Sequence, residues 1–467
     1  MAHRPTIMKF GGTSVEDATA FERVARVVSS HQNSRPVVIV SAMSRVTDTL
    51  LNAVQIAAEG ASEEAAHTLE ANWTRHLAVA ENLLSADNKD AAAAAIDGAR
   101  REIPALLASV ATHAMPLRVL QDVVVAYGER LSAMVLAAVL RECGLPAQYV
   151  DARRCIITDA RHGSAAPLFE DTTTRTRREI EPLLQSSKIP VLGGFIAATA
   201  DGATTTLGRG GSDYSAAIIG TALGAREIQI WTDVTGVLTA DPRVVPEACT
   251  VARLSYDEAA ELAYFGAKVL HPKTIQPAVE QNIPVRICNS RAPDEFGTLV
   301  DAVNEATPRT VKSIAHKTGV TILRINSARM LGAYGFLRAL FEVFERHRTV
   351  VDVVTTSEVS VSLSLEDTSA LPSILHELRE IGTVEVEPNR AIVCVIGEGI
   401  RGTPGIAGEV FNTIRDINVS LISLGASSIN LTFVVAEERA QEVVRRLHHT
   451  FFEREEDQRT RNTEHER

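Results

Sequence analysis

Two glycine-rich segments carry the residue types that handle anions. The first, Lys9-Phe10-Gly11-Gly12-Thr13-Ser14, sets a cation and two glycines between an apolar run and a helical pattern. Free backbone N–H groups and the helix dipole favour phosphate at such a place, although a tight turn beside a surface lysine would use the same residues. The second runs Thr204-Thr205-Thr206-Leu207-Gly208-Arg209-Gly210-Gly211-Ser212-Asp213-Tyr214 into a helix. It is neither a Walker loop nor GxGxxG, because Asp213 stands where the third glycine belongs. Arg209 suits bidentate capture of a carboxylate or phosphate, and Asp213 is either a helix cap or a ligand contact. Trp231-Thr232-Asp233-Val234-Thr235-Gly236-Val237, with Asp241-Pro242-Arg243 after it, ends a strand, where ligands sit in open α/β sheets. Phe265-Gly266-Ala267-Lys268-Val269-Leu270-His271-Pro272 offers a second lysine; alone, such a lysine is more commonly solvated, and His271 reads as a turn residue. Gly397-Glu398-Gly399-Ile400-Arg401-Gly402 spells GxGxxG, but the next strand ends in Gly425 rather than an acid, so a dinucleotide site is rejected.

The surrounding elements alternate. Thr6 to Phe10 and Val37 to Val40 are apolar without polar alternation, as in parallel strands covered on both faces. A helical pattern with Phe21, Val24, Ala25 and Val28 lies between them, which makes a βαβ unit. Residues 50 to 140, rich in Ala, Glu and Leu, predict inserted helices. Strand and helix signals then alternate to about residue 300, as in an α/β domain with a mainly parallel sheet. Beyond Asp301 the predicted order is βαββαβ: strands Val320 to Ile325, Val350 to Val354, Val359 to Leu365 and Thr383 to Glu387, with helices at Phe336 to His347 and Ser369 to Ile381. A second set begins at Ala391 to Ile396, so a small domain recurs at an offset of roughly 70 residues. Glu453 to Arg467 is charged and polar and reads as a solvated tail.

Composition narrows the class. The chain has 467 residues, 45% hydrophobic and 22% charged, which excludes a largely disordered protein. Lys plus Arg total 47 against 58 Asp plus Glu, a net charge of −11, with no support for nucleic-acid binding. The sequence leads us to expect no apolar run of the roughly 18 residues a membrane helix needs. Met1 to Phe10 lacks the apolar core of a secretory signal. The five scattered cysteines suit a reducing, cytoplasmic setting. No His and Cys cluster has zinc spacing, so no metal ligands are assigned.

Taken together, KFGGTS (Lys9 to Ser14), TTLGRGGSDYSAA (Thr205 to Ala217), WTDVTGV with DPR (Trp231 to Arg243), FGAKVLHP (Phe265 to Pro272) and the duplicated tail resemble the aspartate kinases over nearly the whole chain. The resemblance implies an αβα sandwich of the amino acid kinase type over 1–303, with the helical insertion at about 50–140. It implies two ferredoxin-like (βαββαβ) ACT domains at 313–388 and 389–452, then a flexible tail at 453–467. It implies transfer of the γ-phosphoryl of ATP, with Mg²⁺, to the β-carboxylate of L-aspartate, the first step of the aspartate-family pathway. The acceptor is already an anion, so positioning and positive charge should dominate.

By the same resemblance Lys9 is the main transition-state cation and Asp213 orients it or the substrate. Gly11, Gly12, Thr13 and Ser14 line the phosphate channel. Arg209 binds the α-carboxylate, with Gly210, Gly211 and Ser212 near the transferring group. Glu129 takes the α-ammonium, although a glutamate on an Ala- and Leu-rich helix otherwise reads as a solvated face. Thr47 touches the substrate. Thr232, Asp233, Arg243 and Lys268 contact the nucleotide, and Leu238 departs from the aromatic residue of many relatives.

Met330, Gly335, Phe336, Leu337, Val351, Asp352, Ser357 and Glu358 resemble an amino-acid effector site, with lysine favoured. Ala333 and Val350 stand where lysine-sensitive relatives often carry Ser, which keeps threonine or weak control open. Such sites form between ACT domains of two chains, so a homodimer, and possibly a tetramer, is implied. The alternatives are a kinase of another acid, such as glutamate or carbamate, and a non-catalytic amino-acid sensor.

Overall fold

The computed structural model describes residues 4–112, 115–266, 270–302, 310–332 and 334–453. They form two compact units, the first of residues 4–237, 252–256 and 270–302, the second of 238–251, 257–266 and 310–453.

In the first unit, strands β1 (Thr6–Phe10) and β2 (Pro36–Val40) are buried at every residue. Between them runs α1 (Ala18–Ser30), whose N-terminal amide at Ala20 donates to Asp17 Oδ1 at 2.8 Å. Its Phe21, Val24, Ala25 and Val28 are buried, as their spacing predicts. Five helices follow: α2 (Val46–Ala58), α3 (Ser62–His67), α4 (Glu70–Leu83), α5 (Ala86–Ala108) and α6 (Leu117–Glu142). Helix α6 corrects the expectation that no apolar run reaches membrane length. It is long and apolar enough to span, but 83% of its most apolar 18-residue window is buried inside the protein. A helix apolar all round is what a core position demands.

The remaining elements are β3 (Ala147–Val150), β4 (Ile157–Thr158), α7 (Phe169–Gln185), β5 (Ile189–Gly193), β6 (Ile196–Thr199), β7 (Thr204–Thr206), α8 (Gly211–Leu223), β8 (Glu227–Thr232), β9 (Arg253–Ser255), α9 (Tyr256–Tyr264), α10 (Pro272–Glu280), β10 (Val285–Asn289) and β11 (Thr298–Asp301). The main sheet has the order β3-β5-β2-β1-β8-β10-β11-β9, and only β10 against β11 is antiparallel. A small sheet, β4-β6-β7, stands apart from it. The carboxyl ends of β1, β2 and β5 therefore lie side by side, as ligand sites in such sheets require.

In the second unit, β12 (Ser313–Asn326), α11 (Phe336–Arg346), β13 (Val354–Thr356), β14 (Ser360–Leu365), α12 (Leu371–Ile381), β15 (Thr383–Ile396), α13 (Ile406–Thr413), β16 (Leu421–Leu424), β17 (Asn430–Ala436) and α14 (Ala440–His448) build one antiparallel sheet, β13-β14-β12-β15-β17-β16. Two predicted strands, Thr383 to Glu387 and Ala391 to Ile396, are one continuous strand running through Pro388. Its first half pairs with Val320–Asn326 and its second with Ser313–Lys317. The two repeats are thus joined along shared strands, and Ser313–Lys317 fills the edge that the second repeat's own chain leaves empty. The strand predicted from Val350 begins at Val354 instead, because Ser364 already engages the backbone of Asp352 and Val353. The tail beyond Glu453 lies outside the described residues.

Helix α6 lies so close to β5 that a Cβ on Gly193 would stand 2.9–3.0 Å from the backbone and Cβ of Glu129. Gly193→Ala is therefore expected to cost about 1–3 kcal/mol by overpacking, read as a lowered urea midpoint. An unchanged midpoint would show that the two elements can separate freely.

Candidate active site

Lys9 is the penultimate residue of β1 and is 8% exposed. Its Nζ stands 2.7 Å from Oδ1 of Asp213. Asp213 lies in the first turn of α8, whose N-cap is Gly210 at φ 70° with no side-chain cap. Asp213 is thus the partner of Lys9, not the cap of its helix. The two glycine-rich segments that the sequence separates by some two hundred residues meet through this ion pair.

The turn after β1 is held by backbone contacts. Gly11 N donates to Trp231 O at 3.0 Å, and Ser44 N donates to Gly12 O at 3.2 Å. A Cβ on Gly12 would fall 3.0 Å from Ala42 O, so this position stays bare to let the loops after β1 and β2 touch. Thr13 is half-buried. Ser14 is fully enclosed, and its hydroxyl is already bonded to Ser290 Oγ at 3.0 Å. Arg75 on α4 clamps both loops, donating to Ser44 O at 2.8 Å and Glu16 O at 3.0 Å.

The loop after β5 completes the cluster. A Cβ on Gly194 would lie 2.8 Å from Cα and Cβ of Ser212. Phe195 adopts φ 66°, and its N–H donates to Ser215 Oγ at 2.9 Å. Gly211 is crowded by the Phe195 ring, and Gly210 by Thr274. Arg209, next to Gly210, is exposed and has no hydrogen bond or ion pair among the described residues.

Glu129 lies on α6 at 3% exposure. Its Oε1 faces the Thr47 hydroxyl at 3.5 Å, and its Oε2 is buried without a partner. Burial pushes this carboxyl up to about 7, against weaker opposing hydrogen bonds from the Ala42 and Glu129 backbone and Thr47. A buried carboxylate with a free oxygen is a receptor for a cation. The composition-based reading of Glu129 as a solvated face is therefore overturned.

Other predicted residues fall elsewhere. Thr232 and Asp233 end β8, where the Thr232 hydroxyl donates to Asp233 Oδ1 at 3.2 Å and Asp233 is exposed. Arg243 and Leu238 belong to the second unit, and Arg243 is closed on Asp241 at 2.6 Å. Lys268 lies outside the described residues, as does Ala333. His271 caps α10 by accepting from Lys273 N at 3.3 Å. Sequence reasoning missed Gly193, Gly194, Phe195, Ser215 and Arg75. Gly193 ends the buried strand β5 and Gly194 follows it, a signal close to the one that marked Gly11-Gly12.

In the second unit, Met330, Phe336 and Val351 pack against the core of the first repeat. Gly335 caps α11 at φ 81°, and Leu337 is exposed. Ser357 and Glu358 occupy the exposed β13–β14 turn, with Ser357 N donating to Ser360 O at 2.8 Å. Asp352 Oδ1 accepts from the Tyr264 hydroxyl, while its Oδ2 is buried without a partner.

The Glu129 carboxyl sets a pH dependence. The unfolded chain releases this proton near 4.5 and the folded one near 7. Between those values the unfolded state holds fewer protons, so stability falls as pH rises and then levels off. The loss is roughly 3 kcal/mol at about 1.4 kcal/mol per unit. Glu129→Gln should remove it, leaving the ligand-free variant more stable than wild type at pH 8 but not at pH 4.5. Parallel melting curves from pH 4.5 to 7.5 would sink this assignment.

Among known proteins, the amino acid kinase family model matches residues 4–289, and an ACT domain model matches 393–451. The chain is 38% identical to lysine-sensitive aspartokinase 3 of Escherichia coli (strain K12), over 96% of this chain and 99% of that protein. It is 37% identical to chloroplastic aspartokinase 2 of Arabidopsis thaliana, over 96% and 84%. Its structure is similar to E. coli aspartokinase III in complex with aspartate and ADP (TM-score 0.79, 38% identity, 96% and 100% of the chains). It is also similar to that enzyme in complex with lysine and aspartate (0.79, 37%, 96% and 99%) and to Clostridium acetobutylicum aspartate kinase (0.83, 26%, 96% and 100%). With the amino acid kinase match spanning more than half its length and aspartokinases aligned along nearly all of it, the chain belongs to the aspartate kinases and is a phosphotransferase.

Proposed function

We propose that the first unit transfers the γ-phosphoryl of ATP to the β-carboxylate of L-aspartate, forming 4-phospho-L-aspartate and ADP. A carboxylate oxygen attacks Pγ, the bond from Pγ to the bridging oxygen breaks, and ADP leaves with that electron pair. No proton has to move. The obstacle is repulsion between two anions, which fixed cations and bare amides offset.

The observation that carries this reading is the Lys9–Asp213 ion pair, which joins the two anion-handling segments. Asp213 aims Lys9, and an ammonium has further N–H donors to offer phosphate oxygens. Gly11, Gly12 and Thr13 present backbone beside it, while the inward commitment of Ser14 makes that residue a support for the turn. Gly210, Gly211 and Ser212 border the α8 N-terminus, where partial positive charge favours the transferring group. Arg209 has an open fork for the α-carboxylate, and Glu129, with Thr47, takes the α-ammonium. Thr232 and Asp233 are assigned to the nucleotide. No cluster of three His, Cys, Asp or Glu side chains able to hold a metal exists among the described residues. Mg²⁺ is assigned to the triphosphate, with Asp213 and Asp233 as the carboxylates that would help hold it. When bound, the ion neutralises phosphate charge.

Three readings are separated by one coupled assay with ATP, Mg²⁺ and a panel of amino acids. Turnover with aspartate supports ours, turnover with another acid supports a different amino acid kinase, and none supports a sensor. Lys9→Ala is expected to lower kcat by about 10²–10³ and to leave the aspartate KM within roughly threefold. Near-normal turnover would remove Lys9 from its role.

The second unit is proposed to bind a feedback amino acid, lysine, in a homodimer formed through the ACT repeats. Asp352 has one buried oxygen free for an ammonium and the other on Tyr264, which leads through Phe265 and Gly266 toward Lys268 in the sequence. An ammonium on Asp352 competes with the Tyr264 hydroxyl, which connects effector binding to that segment. Val350 brings no hydroxyl, so threonine belongs in the same assay. Asp352→Ala should raise the half-inhibiting lysine concentration at least about tenfold. Inhibition that survives unchanged places the effector elsewhere.

A further inference from the structure

A second buried carboxylate lies on α6, and the reaction as described does not use it. Asp122 is 1% exposed. It stands about two helical turns before Glu129, on the same face of the helix. Unlike Glu129 it is fully engaged. Thr206 Oγ1 donates to its Oδ1 at 2.6 Å, and His162 Nδ1 faces its Oδ2 at 2.7 Å. Gly163 N donates to both oxygens at 3.1 Å. An ionised carboxylate can only accept, so His162 donates through Nδ1. Four donor contacts are what an enclosed carboxylate requires.

The positions of these donors matter. Thr206 is the last residue of β7 and leads directly into Leu207-Gly208-Arg209-Gly210. Ala165 N donates to Thr206 O at 2.9 Å, fastening the 162–165 loop to the same strand end. That loop also packs on the arginine turn, where a Cβ on Gly208 would stand 3.3 Å from Gly163 O and from Ser164 Cβ. Gly208 itself adopts φ 77°. One carboxylate on α6 therefore grips both the strand end that leads into the Arg209 turn and the loop packed on Gly208.

We infer that Asp122 is a positioning residue that fixes the Arg209 turn to the helix bearing Glu129, and so sets the spacing between the groups that receive the two charged ends of the amino acid. The inference rests on the assignment of Arg209 and Glu129 to that substrate. Asp122 touches no reacting atom. Its removal loosens one arm of the amino-acid site and leaves the glycine turn after β1 and the Lys9–Asp213 pair in place.

The test is a split in steady-state parameters for the purified full chain with Mg²⁺ and ATP. Asp122→Ala should raise the aspartate KM at least about tenfold, with the ATP KM held within roughly twofold and kcat falling less than the KM rises. Asp122→Asn keeps an acceptor oxygen for Gly163 N and should restore most of the loss. Thr206→Val deletes a single donor and should raise the aspartate KM about threefold; it decides the matter together with the Asn variant if the Ala variant does not fold. The inference is overturned if aspartate KM stays within about twofold of wild type in these variants, or if the aspartate and ATP KM values rise together, as general loosening would cause. If wild type prefers another amino acid acceptor, the proposed function fails, and the same split read on that acceptor still judges Asp122.

Discussion

One ion pair at the mouth of a parallel sheet organises the first unit: Lys9 from a buried strand and Asp213 from the first turn of α8, 2.7 Å apart. A lysine rising from a strand with every residue enclosed must keep its charge balanced, and the carboxylate that balances it also aims it. The rest of the site follows from bringing backbone close to that pair. Gly12 touches the loop after β2, Gly194 touches Ser212, and Gly193 touches Glu129, each at separations that leave no room for a Cβ. The glycines are the consequence of chain segments converging on one place, which brings backbone rather than side chains close to the Lys9–Asp213 pair.

How far the sequence disclosed this depends on the range over which each signal acts. The buried strands around Ile7 and Val38 were legible because a parallel strand covered on both faces shows an unbroken apolar run. Lys9, Arg209 and Asp213 were legible because glycines beside charges mark a close approach to an anion. Glu129 came only through the resemblance, since the groups that meet its carboxyl, Ala42 and Thr47, are far away in the chain and do not mark the helix pattern. The two- to four-residue strands β4, β6 and β7 are too short to show alternation. The continuity of β15 was hidden by Pro388, which the ladder tolerates between Glu387 and Arg390, where Asn389 takes φ 55°.

The second unit shows a different relation between sequence order and structure. Residues 238–251 and 257–266 fold with the repeats, although they are threaded between strands of the main sheet. Ala240, Val244 and Val245 join the core of the second repeat, and Thr239 bonds His448 at 2.9 Å. Tyr264 is held by Asp352, and Lys317 Nζ lies 5.0 Å from the centre of its ring. The end of α9 is therefore held by side chains of the first repeat.

The two carboxylates of α6 show how burial separates holding from binding. Both are almost fully enclosed on one apolar helix, so both carry the cost of removing a charge from water. Asp122 meets that cost inside the fold, with donors from Thr206, His162 and Gly163. Glu129 does not: one oxygen has a long contact to Thr47, the other has no well-formed partner, the Ala42 and Glu129 backbone offsets burial only weakly, and its proton is held to about 7. A satisfied buried acid adds rigidity, whereas an unsatisfied one stores a deficit that an arriving ammonium can relieve. On the proposed assignment, affinity for an amino acid comes partly from completing the protein's own electrostatics. On that assignment the site is also selective: a ligand without the ammonium leaves Glu129 as it was, and one with a differently spaced carboxylate does not match the separation from Arg209 that Asp122 is inferred to set.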